Sequence, residues 1–426
     1  MAEYLTSDPF SPYFFHHFVN CVAWSQNTMP SVASSISLLC LKLGRHQSYL
    51  HSVEATKKHI QNHFLKADHA PSQKLHRYYR IERGHCRGRD VYTMQSKNSP
   101  EMFTHIVHIL YIHGGAYINE MTLRQWEFLG TIVEAAAHQG IQIIFTIPIY
   151  SIISPQVQAV NGGHAHAVMG FLKAVYRSIV DKVGRSGEVQ IMGDEAGGGL
   201  AYALAVSLDN HSGLATPRRV LLLSPWLDIS LQNPAIKRLE HTDPTNRLEG
   251  LREAGRQFAL GTDPEDPLLS PLFARCDKSL LTRTYVWTSD ADVCQADCVA
   301  LVYLASKKGI DMTRPTKTKS QRYFCMSGLY PSWMFATWTP EARKTVSEVV
   351  QVIKEGVLSQ RSPILADDRR KSSVTPLHNR TWSSGSVNAR ARGRSMQVQS
   401  VWGTPEVPKG ATVQEPLPWK AAIPQY

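Results

Sequence analysis

The amino-acid sequence predicts an α/β fold, a mostly parallel central sheet flanked by helices, and two glycine-rich turns in chain order carry that reading. The first is Ile109-Leu-Tyr-Ile-His-Gly-Gly-Ala-Tyr117, an apolar strand that runs straight into adjacent glycines. The second spans Glu188 to Gly199: a short buried strand through Met192, a bend at Gly193-Asp-Glu195, and a helix from Ala196 to Leu208 rich in Ala and Leu. Gly193 and Gly197 stand two residues either side of Glu195, as a sharp strand-to-helix bend requires, because a Cβ atom at either position would crowd the turn. A third observation is size. With 426 residues and 43% hydrophobic content, the chain can bury one large core and still carry peripheral segments.

Three further stretches extend the pattern: Ile147-Pro-Ile-Tyr-Ser-Ile-Ile-Ser-Pro155, Leu223-Ser-Pro-Trp-Leu-Asp-Ile-Ser230 and Asp266-Pro-Leu-Leu-Ser-Pro-Leu-Phe-Ala274. With the two turns, and in this order, they resemble the hormone-sensitive-lipase-like branch of the α/β-hydrolase family, often labelled fold-3, over roughly residues 80 to 357. The resemblance implies the α/β-hydrolase fold with an N-terminal cap-like segment. It also implies an acyl-transfer site built from a Ser, an Asp and a His in that chain order.

Carried over residue by residue, that site is altered at two of its three positions. The nucleophile position is Glu195. The acid follows the strand Arg283–Thr288, where Asp292 fits the family spacing better than Asp290. The position of the His, within Gly328-Leu-Tyr-Pro-Ser-Trp333, is Pro331. After His241 the one remaining histidine is His378, far beyond this loop, so no shift of alignment restores the base. Imidazole matters because it titrates near neutrality and can both accept the hydroxyl proton and return it to the leaving group. Related dehalogenases and epoxide hydrolases use an Asp nucleophile. Glu195 is one methylene longer, and a misplacement of about 1 Å can cost on the order of a hundredfold in rate.

The resemblance assigns the oxyanion-hole amides to Gly114, Gly115 and Ala196. A carboxylate at the start of a helix is favoured by the free N–H groups and dipole there, so Glu195 is expected to fold into that pocket and occupy it. Tyr117, Tyr150, Trp226 and Tyr330 are expected to line the binding cavity, with Trp333 a further aromatic nearby. His164 and His166, two apart at a helix start, are spaced to point to different faces and read as surface or capping residues. No cofactor and no metal are expected.

These features lead to an esterase/lipase-like protein without ordinary ester hydrolysis, a pseudoenzyme serving as a small-molecule binder or accessory protein. Gibberellin receptors of the same family, which lack the triad His and bind a ligand, are the precedent the resemblance supplies. One alternative is a non-standard enzyme in secondary metabolism, acting on a hydrophobic metabolite with Glu195 as acid or base. Another is a structural interaction partner.

Residues 1–80 read as a leader that builds part of a cap, residues 81–357 as the hydrolase-like domain, and residues 358–426 as a basic tail expected to be disordered. From residue 359 onward the tail holds ten Lys or Arg against four Asp or Glu, so about +6 of the overall +11 lies there. Charge so placed, without interleaved aromatics on a folded face, argues against nucleic acid as a partner; a hydrophobic small molecule is the expected one. The sequence leaves the oligomeric state open. The opening Met1–Asp8 lacks a basic start and a continuous apolar run, no segment reaches a membrane-spanning length, and the seven cysteines form no paired spacing. A cytoplasmic protein with free thiols is the expectation, with Cys294 and Cys298 as packing residues.

Overall fold

The computed structural model describes residues 30–44, 50–63, 70–150, 164–184, 188–209, 213–260, 262–316 and 319–358. The expected tail beyond Leu358, the run Pro12–Phe18 and the second half of the Ile147–Pro155 segment lie outside these residues. Two helices, α1 (Val32–Gly44) and α2 (Val53–His63), precede a short α3 (Gln73–Tyr78) and the strands β1 (Tyr79–Cys86), β2 (Arg89–Ser96) and β3 (His105–Ile112). Strands and helices then alternate: α4 (Leu123–Ala137), β4 (Ile141–Pro148), α5 (His164–Val183), β5 (Glu188–Asp194), α6 (Glu195–Asp209) and β6 (Val220–Leu223). The chain continues through α7 (Ile236–Leu239), α8 (Leu248–Phe258), α9 (Lys278–Arg283), β7 (Thr284–Ser289), α10 (Gln295–Lys307), β8 (Tyr323–Met326) and α11 (Pro340–Leu358).

The eight strands form one sheet in the order β1-β2-β4-β3-β5-β6-β7-β8. β2 is antiparallel to both β1 and β4, and every pair from β4 to β8 is parallel. Parallel strands covered on both faces read as continuous apolar runs, and β6, with all four residues buried, is the plainest case. On one face, α4 and α11 contribute Phe128, Leu129, Ile132, Val349, Val350 and Ile353 to a core shared with Val107, Ile109, Phe145 and Trp287 of the strands.

The chain leaves β3 toward β4 on one side and returns to β5 on the other. The order therefore reverses between β3 and β5, and the crevice outside their carboxyl ends is where ligands settle in open α/β sheets. The leader packs over this end. Ser31 and Ser34 donate hydroxyl hydrogen bonds to Glu341 at 2.9 and 2.6 Å, and His59 Nε2 lies 2.6 Å from Asn119 Oδ1 in the turn after β3. Leu50 approaches α8 so closely that a Cβ on Gly250 would sit 2.1 Å from the Leu50 carbonyl oxygen. Only glycine permits that contact.

Candidate active site

The bend after β5 is the strand-to-helix elbow expected from its glycines. Glu195 adopts φ +48°, a left-handed conformation that non-glycine residues rarely take and that throws its side chain out of the turn. A Cβ on Gly193 would meet the Gly197 carbonyl oxygen at 2.4 Å, and one on Gly197 would meet both the Ile112 and the His113 oxygens at 2.2 Å. The elbow is thus pressed against the loop after β3. The Trp226 N–H donates to the Glu195 carbonyl at 2.9 Å and fixes the turn from the β6 side.

That neighbouring loop hooks sharply, with Gly115, Ala116 and Tyr117 at φ +115°, +51° and +64°. Asp194 organises it. Its Oδ1 accepts from the Tyr111 hydroxyl at 2.5 Å and the Gly114 N–H at 2.9 Å, and its Oδ2 accepts from Gln125 Nε2 at 2.9 Å. Gln125 also closes a capping box with Thr122, so the same residue ties the start of α4 to the elbow. Burial and the adjacent Glu195 charge push the Asp194 carboxyl up, against the pull of its three donors.

The Glu195 carboxylate accepts the Ser332 hydroxyl through Oε1 and the Gly115 N–H. Of the three amides expected around it, Gly115 faces it and Ala196 lines the same cavity, but Gly114 departs from the expectation. Its N–H points to Asp194, because the hook at Gly115 turns consecutive amides in different directions.

The structure separates the two acid candidates. Asp290 accepts from the Ser327 hydroxyl and the Gly328 N–H, both at 2.7 Å, and so pins the turn after β8. Asp292, 1% exposed, faces the cavity, and its Oδ1 accepts the Cys294 N–H at 2.8 Å. Pro331 lines the cavity too and brings no proton-carrying group; Ser332 beside it sits at φ +63°.

The cavity encloses about 510 Å³, and no histidine lines it among the described residues. Trp226 and Tyr330 are on its wall as expected, while Tyr117 and Tyr150 are not. Tyr117 stacks on Phe258, with ring centres 3.9 Å apart. Tyr150 stacks on His113 and donates its hydroxyl to the His113 carbonyl at 2.8 Å. Both serve packing, since aromatics at strand ends fill the sheet surface as readily as a pocket. Trp333 is likewise buried and donates its indole N–H to Thr345 at 3.1 Å. His164, expected near the surface, is buried at the start of α5 against Phe258, whereas His166 is exposed. Cys294 and Cys298 are buried free thiols whose pKa burial pushes well up, so they are poor nucleophiles.

Two residues at the site went unread in the sequence. Ser224, at φ +46° just past β6, lines the cavity, and its side chain lies beside Asp292, where it holds that carboxyl down against the upward push of burial. Asp243 is fully buried and accepts the Thr245 and Asn246 backbone N–H groups at 2.8 Å each and the Val293 N–H at 3.2 Å. The signal available was Asp243-Pro-Thr-Asn246, an Asx-type turn, which is common in loops and points to no site by itself. Burial raises the pKa of Glu195, Asp243 and Asp292. The negative neighbours add to this: Asp243 acts on both Glu195 and Asp292, and Glu195 acts on Asp292. Among the described residues none of the three belongs to an ion pair.

Residues 109–315 match the alpha/beta hydrolase fold family. Just under half of the chain thus matches that family, and its sheet order and strand-to-helix elbow are those of the alpha/beta hydrolase fold. An acetyl-hydrolase of Streptomyces hygroscopicus is 26% identical over 205 residues, 48% of this chain and 64% of that protein. An esterase of Acinetobacter venetianus is 24% identical over 253 residues, 57% of this chain and 73% of its own. The match to the acetyl-hydrolase thus spans just under two thirds of that relative's length. Among solved structures, an esterase/lipase from an uncultured bacterium superposes with a TM-score of 0.58 at 18% identity, covering 77% of this chain and 99% of that chain. An esterase from the bacterial hormone-sensitive lipase family gives 0.56 at 19%, covering 78% and 99%. At such identities the structural likeness is one of fold.

Proposed function

We propose that this α/β-hydrolase holds a hydrophobic small molecule in the cavity above Glu195 and does not carry out ordinary ester hydrolysis. The observation that carries this reading is the state of Glu195. A carboxylate stands where the relatives' chemistry calls for an attacking hydroxyl, and it is engaged by the Ser332 hydroxyl and the Gly115 amide. A fixed negative charge there opposes the oxyanion of an acyl-transfer transition state. With Pro331 on the loop after β8 and no imidazole on the cavity wall, proton transfer to a leaving group lacks its usual carrier. Leu41 and Leu50 of the leader contribute apolar lining, in keeping with a cap over the cavity and an apolar ligand beneath it.

The names of the relatives, acetyl-hydrolase and esterase, define the test. The purified chain is expected to turn over short-chain nitrophenyl esters no faster than buffer alone. Glu195→Ser with Pro331→His is expected to regain at most weak turnover, because Pro331 also shapes the loop backbone. Ester turnover by the parent chain would sink the proposal.

A second reading keeps chemistry at the site. The raised pKa of Glu195 and its hydrogen bond to Ser332 favour a role as general acid or base toward a hydrophobic metabolite. Product formation that Glu195→Gln abolishes would select this reading over binding alone.

A further inference from the structure

Resting on the small-molecule reading, we infer that the cavity takes a hydrophobic amine in its ammonium form, with the charged head between Glu195, Asp292 and Ser224. Two independent features converge on this. The first is charge: Glu195 on the floor and Asp292 on the wall both face the cavity, with Asp243 buried behind them. The second is an unfilled set of hydrogen bonds. Asp292 Oδ2 and Ser224 Oγ, in residues 1% and 2% exposed, have no partner in well-formed hydrogen-bond geometry among the described residues; the Ser224 hydroxyl lies near enough to Asp292 to hold its carboxyl down against burial, and both residues line the cavity.

Buried polar atoms left without partners are costly, and where they line a cavity a ligand or an ordered water meets them. A primary ammonium brings three N–H donors and one positive charge. It therefore supplies donors to Asp292 Oδ2, Ser224 Oγ and Glu195 at once and neutralises the repulsion among the carboxylates. A carboxylic-acid ligand would add a further negative charge to the same space, and a neutral alcohol could satisfy one acceptor while leaving the field uncompensated. The rest of the lining sets the other end of the ligand. Leu41, Leu50, Trp226 and Phe335 offer an apolar wall, which suits an alkyl or aryl tail better than a bare metal ion. The cation on the lining, Arg124, is exposed and stacks over Trp338 at 5.6 Å, directed at the aromatic ring and solvent.

The test is calorimetric titration of the full chain near neutral pH with three probes of one shape: phenethylammonium, phenethyl alcohol and hydrocinnamate. The ammonium is expected to bind about tenfold or more tightly than the alcohol, the ratio set by one charge-assisted hydrogen bond, and the carboxylate to give no measurable heat. Asp292→Asn, checked for cooperative melting at the pH of the titration, is expected to erase the preference for the ammonium over the alcohol. Equal or tighter binding of the alcohol or the carboxylate by the parent chain, which needs no variant, overturns the inference and leaves the binding reading standing. Absence of binding by all three also overturns it. The broader reading falls only if a thermal-shift screen of apolar metabolites likewise moves nothing.

Discussion

The elbow after β5 and the loop after β8 meet at one cavity, yet they present different backbones and different chemistry to it. At the elbow the backbone is that of the family fold: Gly193 and Gly197 are held by main-chain oxygens within 2.4 Å of any added Cβ, and Glu195 takes the left-handed turn. The group it projects into the cavity is a carboxylate. After β8 the loop brings Pro331, which carries no ionisable group, to the cavity, and Ser332 is the residue held at φ +63°. The contrast teaches that the scaffold of an elbow and its reactivity are separable. Gly197 answers to packing against the end of β3 and Gly193 to packing against Gly197, and both contacts persist whatever side chain the turn presents.

The largest effect is expected where that packing is tightest. Gly197→Ala would drive a methyl group into two carbonyl oxygens at 2.2 Å, atoms of fixed backbone rather than flexible side chains. We expect a loss on the order of 3 kcal/mol in urea unfolding, at the upper end for overpacking. A loss below about 0.5 kcal/mol, the scatter of surface changes, would mean the elbow is looser than its geometry states.

Next in size is the dependence on pH. Burial raises the carboxyls of Asp194, Glu195, Asp243 and Asp292 above their values in the unfolded chain, Asp194 to about 7. The folded state therefore binds more protons than the unfolded one. The stability these groups contribute is full below about pH 4, the ordinary carboxyl value, and is lost as pH rises through their folded values. Thermal unfolding is expected at lower temperature at pH 8 than at pH 5, with a slope on the order of 1 kcal/mol per pH unit for each group titrating in the window. His108, lowered by burial, works in the opposite direction and offsets part of it. Asp292→Asn should flatten the slope; a melting temperature that climbs from pH 5 to pH 8 would contradict the arrangement.

The smallest effect sharpens the β8 side of the comparison. Ser332→Ala removes the hydroxyl that Glu195 accepts and should cost about 1–2 kcal/mol. Ser332→Gly loses the same bond but relieves the left-handed backbone, and should be more stable than the Ala variant by roughly 1 kcal/mol. Equal stabilities of the two variants in denaturant melts would show that the loop carries no strain at this residue.

How much could be read from the chain alone follows from the same distinction. The elbow, the glycine hook after β3 and the parallel strands were legible because their signals are local: glycines at fixed offsets and short apolar runs. The identity of the cavity-facing acid was narrowed to Asp290 and Asp292, but spacing cannot say which carboxylate turns inward and which bonds the Ser327–Gly328 turn. Ser224, Asp243 and the Ser332–Glu195 contact were out of reach, since each depends on segments tens of residues apart arriving together. Tyr117 and Tyr150 were placed on the cavity wall because an aromatic after a strand can face either way. The stacking partners Phe258 and His113, which decide it, are distant or unreadable as partners in one dimension.

Gly250 leaves room for the main chain at Leu50, and that docking brings Leu41 and Leu50 onto the rim of a chamber whose opposite rim is Tyr330 to Ala336. Both rims lie outside residues 109–315, the stretch by which kinship is recognised. What the chamber admits is therefore written partly in the flanks, and two cousins indistinguishable across the shared stretch could still choose different guests.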